Sequence, residues 1–173
     1  MNLPNTLTLL RIVAVPVVVV ALLAEISDGD VIAAVVFALA AATDGLDGYI
    51  ARRRNQITNF GKLMDPLADK LLVVAALVAL VSLDRVEAWV AMVIISRELA
   101  ITGLRTLAVE QGIVVAANWL GKVKTTLQIG AIFALIATDP APLGVDLLVY
   151  AAVAITVISG ADYFFNMRRY LAD

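Results

Sequence analysis

The sequence predicts an all-α, polytopic membrane protein with six transmembrane helices, forming a single domain over residues 1–173. Hydrophobic residues make up 62% of the chain and charged residues only 16%, whereas soluble domains average roughly 45–50% and about a quarter. A single globule of this length cannot bury so much apolar surface, so the bilayer is the expected solvent. Six stretches approach the roughly 20 apolar residues that cross a hydrocarbon core. They are 7–24, 31–51, 63–82, 87–109, 120–138 and 143–165.

The charges of the short connections predict the orientation. Basic residues lie between the second and third stretches and in the C-terminal tail: Arg52, Arg53, Arg54, Lys62, Arg168 and Arg169. The alternate connections are acidic apart from Arg85. Because lysine and arginine accumulate on the cytoplasmic side, both termini and the connection around Arg52 are expected there. The first stretch has Arg11 and Pro16 within it and no basic start, which favours a retained helix over a cleaved signal peptide.

The chain contains neither cysteine nor histidine. Disulfides, thiolate metal sites and cysteine nucleophiles are therefore excluded. A bound metal would need mainly oxygen ligands, which favours Mg²⁺, Mn²⁺ or Ca²⁺ over zinc or copper. A general base working near neutral pH would have to be a carboxylate, a lysine or a tyrosine.

Carboxylates cluster where the second apolar stretch ends and the third begins, a costly position that usually indicates function. Successive helical residues are turned by about 100°. On this basis the polar and small residues form two stripes, one within an arc of roughly 140° around the second helix and one within about 80° around the third. The first holds Asp44, Asp47, Gly48, Ala51 and Arg52, and the second holds Gly61, Asp65 and Asp69. Four carboxylates in a low-dielectric site would repel one another unless divalent cations bound there. The alternative for Asp65 is an N-cap in front of a first-turn Pro66.

These residues resemble the signature of the CDP-alcohol phosphatidyltransferase family, with eight specified residues at matching spacing between positions 44 and 69. The resemblance extends to the six-helix fold. It implies that Asp44, Asp47, Asp65 and Asp69 hold two divalent ions, Mg²⁺ or Mn²⁺, against a CDP-lipid diphosphate. It also implies that Asp69 is the general base. Gly48, Ala51, Arg52 and Gly61 would line the nucleotide pocket.

Four cations in the fourth and fifth stretches lack an obvious acidic partner: Arg97, Arg105, Lys122 and Lys124. Arg97 and Arg105 are eight residues apart and share a helix face, with Glu98 off that face. A phosphate on a second substrate would account for the four charges. The alternatives are an ion pair from Arg97 to a neighbouring helix and interfacial placement of the two lysines. Trp89 and Trp119 lie near predicted helix ends and are expected to be interface anchors.

Two further segments resemble the bacterial phosphatidylglycerophosphate synthase subfamily. One runs from Ser96 to Gln128 and the other is the opening segment 2–11. The resemblance implies CDP-diacylglycerol and sn-glycerol 3-phosphate as substrates. Asn5, Thr8 and Arg11 are expected either to shape the CDP-lipid site or only to cap and anchor a surface helix. The resemblance also implies a homodimer in the bacterial cytoplasmic membrane, with the active site on the cytoplasmic side and no nucleic-acid partner.

Two other functions compete with this one. The same chemistry could use inositol phosphate or phosphatidylglycerol as the acceptor. Alternatively, the acidic residues could form the permeation site of a divalent-cation transporter. A transporter would need acids near the membrane midplane and a polar path to both faces, whereas the acids here lie toward one end of their helices.

Overall fold

A computed structural model of the chain describes the backbone of residues 3–24, 26–54, 59–110 and 119–171, and the side chains of residues 6–24, 26–43, 64, 66–109 and 119–167. Within these ranges the secondary structure is entirely helical, which confirms the predicted all-α class. The six helices are α1 (Leu3–Leu23), α2 (Gly29–Arg54), α3 (Asn59–Ser82), α4 (Ala88–Glu110), α5 (Trp119–Ala137) and α6 (Leu143–Leu171).

Three of the described segments are long and apolar enough to cross a membrane: Thr6–Leu23 in α1, Trp119–Ala137 in α5 and Leu143–Met167 in α6. Large apolar side chains such as Leu39, Met92 and Leu147 are exposed on the helix surfaces. In water such a surface would be unstable, whereas lipid tails solvate it without cost. The chain is therefore a membrane protein.

The helix containing the second acidic stripe begins earlier than expected. Because α3 starts at Asn59, Pro66 lies inside the helix and not in its first turn. The alternative that Asp65 caps the start of this helix is therefore wrong. A proline within a membrane helix leaves one carbonyl without its usual amide donor, which neighbouring groups or local adjustments can compensate.

Residues 1–86 and 132–140 form one compact unit. Within it α1 packs against both α2 and α3, and α2 contacts α3. The buried contacts are rich in alanine: Ala21, Ala33, Ala34, Ala40, Ala68, Ala76 and Ala79. Small side chains allow helix backbones to approach closely in membranes. At Gly29 the backbones of α1 and α2 are so close that a Cβ would collide with the backbone oxygen of Ala21.

Arg85, in the connection after α3, contacts the first turn of α2, the end of α5 and the connection that follows α5. Its Nη2 forms ion pairs with Asp30 Oδ2 at 2.8 Å and Asp139 Oδ2 at 3.1 Å, and its Nη1 donates a hydrogen bond to the carbonyl oxygen of Ile136 at 3.4 Å. The hydrogen bond to Asp30 is the main cause that raises the pKa of Arg85. Because the pKa is raised, the stabilisation from this charge is fully present at any pH below the pKa of Arg85 in the unfolded chain. It is lost only as the pH rises through the higher pKa of the folded protein. Arg85 therefore stays protonated, and its ion pairs stay intact, throughout the physiological pH range.

The C-terminus of α3 ends in a Schellman motif. The amide of Asp84 donates to the carbonyl oxygen of Val81 at 3.1 Å, and the amide of Arg85 donates to that of Leu80 at 3.0 Å. This geometry requires a left-handed residue after the helix, and Asp84 adopts it with φ of 56°. Glycine is the usual residue at this position because it has no Cβ to strain the conformation.

We expect Asp84→Gly to stabilise the protein by about 1 kcal/mol, because it removes both left-handed strain and a negative charge at a helix C-terminus. Part of this gain is offset because glycine gives the unfolded chain more conformational freedom than aspartate does. The measurement is the thermal unfolding midpoint in detergent. Asp84→Ala is the matched control, because it removes the charge and keeps the strain. Equal gains in the two variants would contradict the strain argument.

Residues 87–131 and 141–173 form the second compact unit. Within it α4 packs against α6, and the described core of this contact contains Ile101, Ala108, Tyr163 and Met167. The two helices run parallel, because Arg97 meets Ser159 and the later Arg105 meets the later Tyr163. This contact brings the arginines of α4 next to polar residues of α6.

Candidate functional site

The two predicted acidic stripes lie on neighbouring helices of the first unit. Asp44, Asp47, Gly48, Ala51 and Arg52 belong to α2, and Gly61, Asp65 and Asp69 belong to α3. Contact between α2 and α3 agrees with the requirement that the stripes be close. Of the eight side chains, only that of Asp69 lies among those that the structure describes. The convergence of the four carboxylates therefore stays a prediction.

Asp69 is partly buried and paired with its neighbour. Its Oδ2 accepts a hydrogen bond from Lys70 Nζ at 2.6 Å, and about a quarter of each side chain is exposed, 26% for Asp69 and 24% for Lys70. A proton acceptor must be accessible to its substrate, and the exposed part of this carboxylate meets that requirement.

A buried arginine precedes the acidic stripe of α2. Arg11 of α1 is only 1% exposed. Its Nε donates to the carbonyl oxygen of Ala40 at 3.2 Å and its Nη2 to Thr43 Oγ1 at 3.5 Å. Thr43 Oγ1 also donates to the same carbonyl at 2.7 Å. Arg11 thus fixes α1 to the turn of α2 that immediately precedes Asp44, a role that the sequence did not reveal.

Two residues of α1, Asn5 and Thr8, are predicted at the lipid site, and the structure describes the side chain of Thr8. Thr8 is completely buried and takes part in polar contacts, whereas the side chain of Asn5 lies outside the described residues. Burial of Thr8 shows that it does not face water or lipid. Its contact with the CDP-lipid stays a prediction.

Arg97 lies in the middle of α4, against α6. Its Nη2 donates a hydrogen bond to Ser159 Oγ at 3.0 Å, while its Nε is buried with no hydrogen-bond partner among the described residues. Gly160 makes room for this side chain, since a Cβ there would lie 3.1 Å from Arg97 Cγ. Arg97 is therefore a partly desolvated cation that one neutral hydroxyl satisfies only in part.

Arg105 lies two turns further along α4. Its guanidinium carbon is 5.9 Å from the centre of the Tyr163 ring, a cation–π arrangement. Arg97 and Arg105 carry like charges on the same face of α4. No carboxylate in the described part of the chain forms an ion pair with either arginine. The α4–α6 contact therefore carries two positive charges that no described acid neutralises.

The lysines of α5 fall into a different environment. Lys124 is buried and forms an ion pair with Glu98, which is buried too. The premise that Lys124 lacks an acidic partner is therefore wrong. Glu98 follows Arg97 directly, but successive helix residues point about 100° apart, so the carboxylate faces α5 while Arg97 faces α6. Lys122 is exposed at the start of α5.

The sequence did not single out the polar residues of α6. Thr156, Ser159 and Tyr163 are buried within an otherwise apolar helix, and their spacing of three and four residues places them on one face. Polar side chains inside an apolar span are a signal of function that could have identified this face. Its proximity to the arginines of α4 could not be read from either helix alone.

Comparisons with known proteins identify relatives over almost the whole chain. The model of the CDP-alcohol phosphatidyltransferase family matches residues 1–158. The CDP-diacylglycerol–glycerol-3-phosphate 3-phosphatidyltransferase of Bacillus subtilis is 47% identical over 180 residues, covering 94% of this chain and 93% of the relative. A probable phosphatidylglycerophosphate synthase of Mycobacterium tuberculosis is 42% identical over 97% of the chain and 82% of its own length. A Haemophilus influenzae protein with the same name as the Bacillus relative is 37% identical over 99% of this chain and 96% of its own length.

Proposed function

Because the chain belongs to the CDP-alcohol phosphatidyltransferase family, we infer that it transfers the phosphatidyl group of CDP-diacylglycerol to sn-glycerol 3-phosphate. The products are phosphatidylglycerophosphate and CMP. The observation that carries this conclusion is the 47% identity, over 94% of the chain, to a relative named for that reaction. The complete signature between Asp44 and Asp69 supports it independently.

The membrane arrangement follows from the same proposal. Beyond the three helices that are apolar enough by length and composition, α2, α3 and α4 also span, and the whole chain works as one domain. Both termini and the reaction site face the cytoplasm of a bacterial cell, and two copies form a homodimer. The basic connection at Arg52–Arg54 supports this orientation.

The proposed metal site uses Asp44, Asp47, Asp65 and Asp69. The family is generally dependent on divalent metals, and a set of carboxylate oxygens fits Mg²⁺ or Mn²⁺. Two such ions, when bound, neutralise the charge that develops on the diphosphate during displacement. Without a counter-charge, four carboxylates of this kind would repel each other strongly.

The protein side chains carry the remaining steps. Asp69 accepts the proton of the acceptor hydroxyl. The oxygen of that hydroxyl forms a bond to the lipid phosphorus, and the bond from the phosphorus to the oxygen of the leaving CMP breaks. Asp69 suits this role because its carboxylate is partly exposed, and because the chain contains no histidine. The proposed nucleotide pocket consists of Gly48, Ala51, Arg52 and Gly61, with Asn5 and Thr8.

The second substrate is held by its phosphate. Arg97 and Arg105 are the principal candidates, because neither has a carboxylate partner in the described part of the chain. Guanidinium groups bind phosphate oxygens in a bidentate manner. Lys122 and Lys124 complete the proposed set, with Lys124 already paired to Glu98.

The function is tested with purified protein, CDP-diacylglycerol and a panel of acceptors. We expect CMP release with sn-glycerol 3-phosphate and little with inositol phosphate or phosphatidylglycerol. Release only with one of the latter would contradict the choice of acceptor. Proteoliposomes without substrate provide the second arm, because divalent-cation flux in the absence of CMP release would indicate a transporter instead.

A further inference from the structure

The contact between α4 and α6 contains buried polar groups that have no hydrogen-bond partner among the described residues. Tyr163 is only 9% exposed, and its hydroxyl has no hydrogen-bond partner among the described residues. Arg97 Nε is in the same condition. Thr156 Oγ1, on the same face of α6, is a third such group. Buried tyrosine hydroxyls normally find a partner, so the unsatisfied groups at this contact need an explanation.

The residues around Tyr163 hold its ring without satisfying its hydroxyl. The ring packs with Ile101, Ala108 and Met167 and supports the guanidinium of Arg105. Tyr163 also lies about one helical turn after Ser159, the residue that accepts a hydrogen bond from Arg97. The hydroxyl therefore belongs to the same environment as the two arginines.

The missing partner must supply acceptor oxygens and negative charge. Arginine side chains can only donate. Ser159 accepts from Arg97 and donates to the carbonyl oxygen of Thr156 at 3.2 Å, so its hydrogen is already used. A phosphomonoester provides several acceptor oxygens and about two negative charges at neutral pH. It would complement the two cations and the phenolic donor together.

We propose that Tyr163 is a binding residue for the acceptor phosphate, donating its hydroxyl hydrogen to a phosphate oxygen held between Arg97 and Arg105. Ser159 is a positioning residue, since its hydroxyl orients the guanidinium of Arg97. This assignment rests on the proposed function and adds α6 to the elements that select a phosphorylated alcohol. A non-phosphorylated acceptor would leave the same three donors unpaired, which disfavours its binding.

The test variant is Tyr163→Phe, which retains the ring and its contact with Arg105 and removes only the hydroxyl. We expect the KM for sn-glycerol 3-phosphate to rise by about tenfold or more, as for the loss of a hydrogen bond to a charged group. The kcat and the KM for CDP-diacylglycerol should change little. Tyr150→Phe is the matched control, since this tyrosine of α6 is exposed and bonds to Glu87 instead.

Binding without turnover separates this proposal from the reaction. The thermal unfolding midpoint of the wild type should rise with sn-glycerol 3-phosphate but not with glycerol, and Tyr163→Phe should reduce that rise. An unchanged KM and an unchanged rise in Tyr163→Phe would overturn the assignment while leaving the proposed function intact. A wild type that neither binds nor uses sn-glycerol 3-phosphate would overturn both. If the hydroxyl served only the fold, Tyr163→Phe would unfold at a lower temperature with its KM unchanged, which would also overturn the assignment.

Discussion

Asp69→Asn is expected to remove nearly all turnover while the protein still folds and binds CDP-diacylglycerol. Asparagine has the size of aspartate but cannot accept a proton at neutral pH. A positioned general base contributes about 100- to 10,000-fold to a reaction rate, so kcat should fall by at least ~100-fold. The measurement is CMP release at saturating concentrations of both substrates.

The ion pair between Asp69 and Lys70 makes a second variant necessary. Lys70→Gln breaks the same pair but retains the carboxylate, so it separates loss of the base from loss of the pair. Asp146→Asn, in the exposed first turn of α6, is the control for the chemical change itself and should be nearly as active as the wild type. An equal loss in Lys70→Gln and Asp69→Asn would remove Asp69 from the proposed base role.

The helices could be predicted because a bilayer imposes a simple length requirement on apolar segments. Their ends could not be predicted as well. The second stretch was expected at 31–51, whereas α2 continues to Arg54, and α3 begins at Asn59 instead of 63. Hydropathy identifies the part of a helix that lies in lipid, but backbone hydrogen bonding continues into the polar interface. This is also why the proline at position 66 was open to a wrong interpretation.

The pairing of charges between helices could not be predicted. Arg97 and Glu98 are adjacent in the sequence, yet one meets Ser159 of α6 and the other pairs with Lys124 of α5. The helical period shows that they point in different directions, but it does not show which neighbour each direction meets. The number of uncompensated cations is a tertiary property, and only the structure reduces the predicted set to Arg97, Arg105 and the exposed Lys122.

The environment of Arg97 predicts opposite effects on stability and activity. A partly desolvated charge without a counter-charge destabilises a fold, and its buried Nε adds an unsatisfied donor. Arg97→Met fills a similar volume with an apolar chain, and Ser159 keeps its hydrogen bond to Thr156. We therefore expect Arg97→Met to unfold at the same or a higher temperature than the wild type.

Activity should change in the other direction. Removing one partner of a close charge pair costs about 2–5 kcal/mol, which corresponds to a fall of about 30-fold or more in kcat/KM for sn-glycerol 3-phosphate. The KM for CDP-diacylglycerol should be nearly unchanged, and Arg97→Lys should be intermediate because it keeps the charge but loses the planar donor geometry. If Arg97 were instead a structural contact between α4 and α6, Arg97→Met would lower the unfolding temperature and affect both substrates alike. An unpaired cation lowers the stability of the free protein. Binding of an anion offsets that loss, so such a cation is expected at an anion-binding site such as the one proposed for this face of α4.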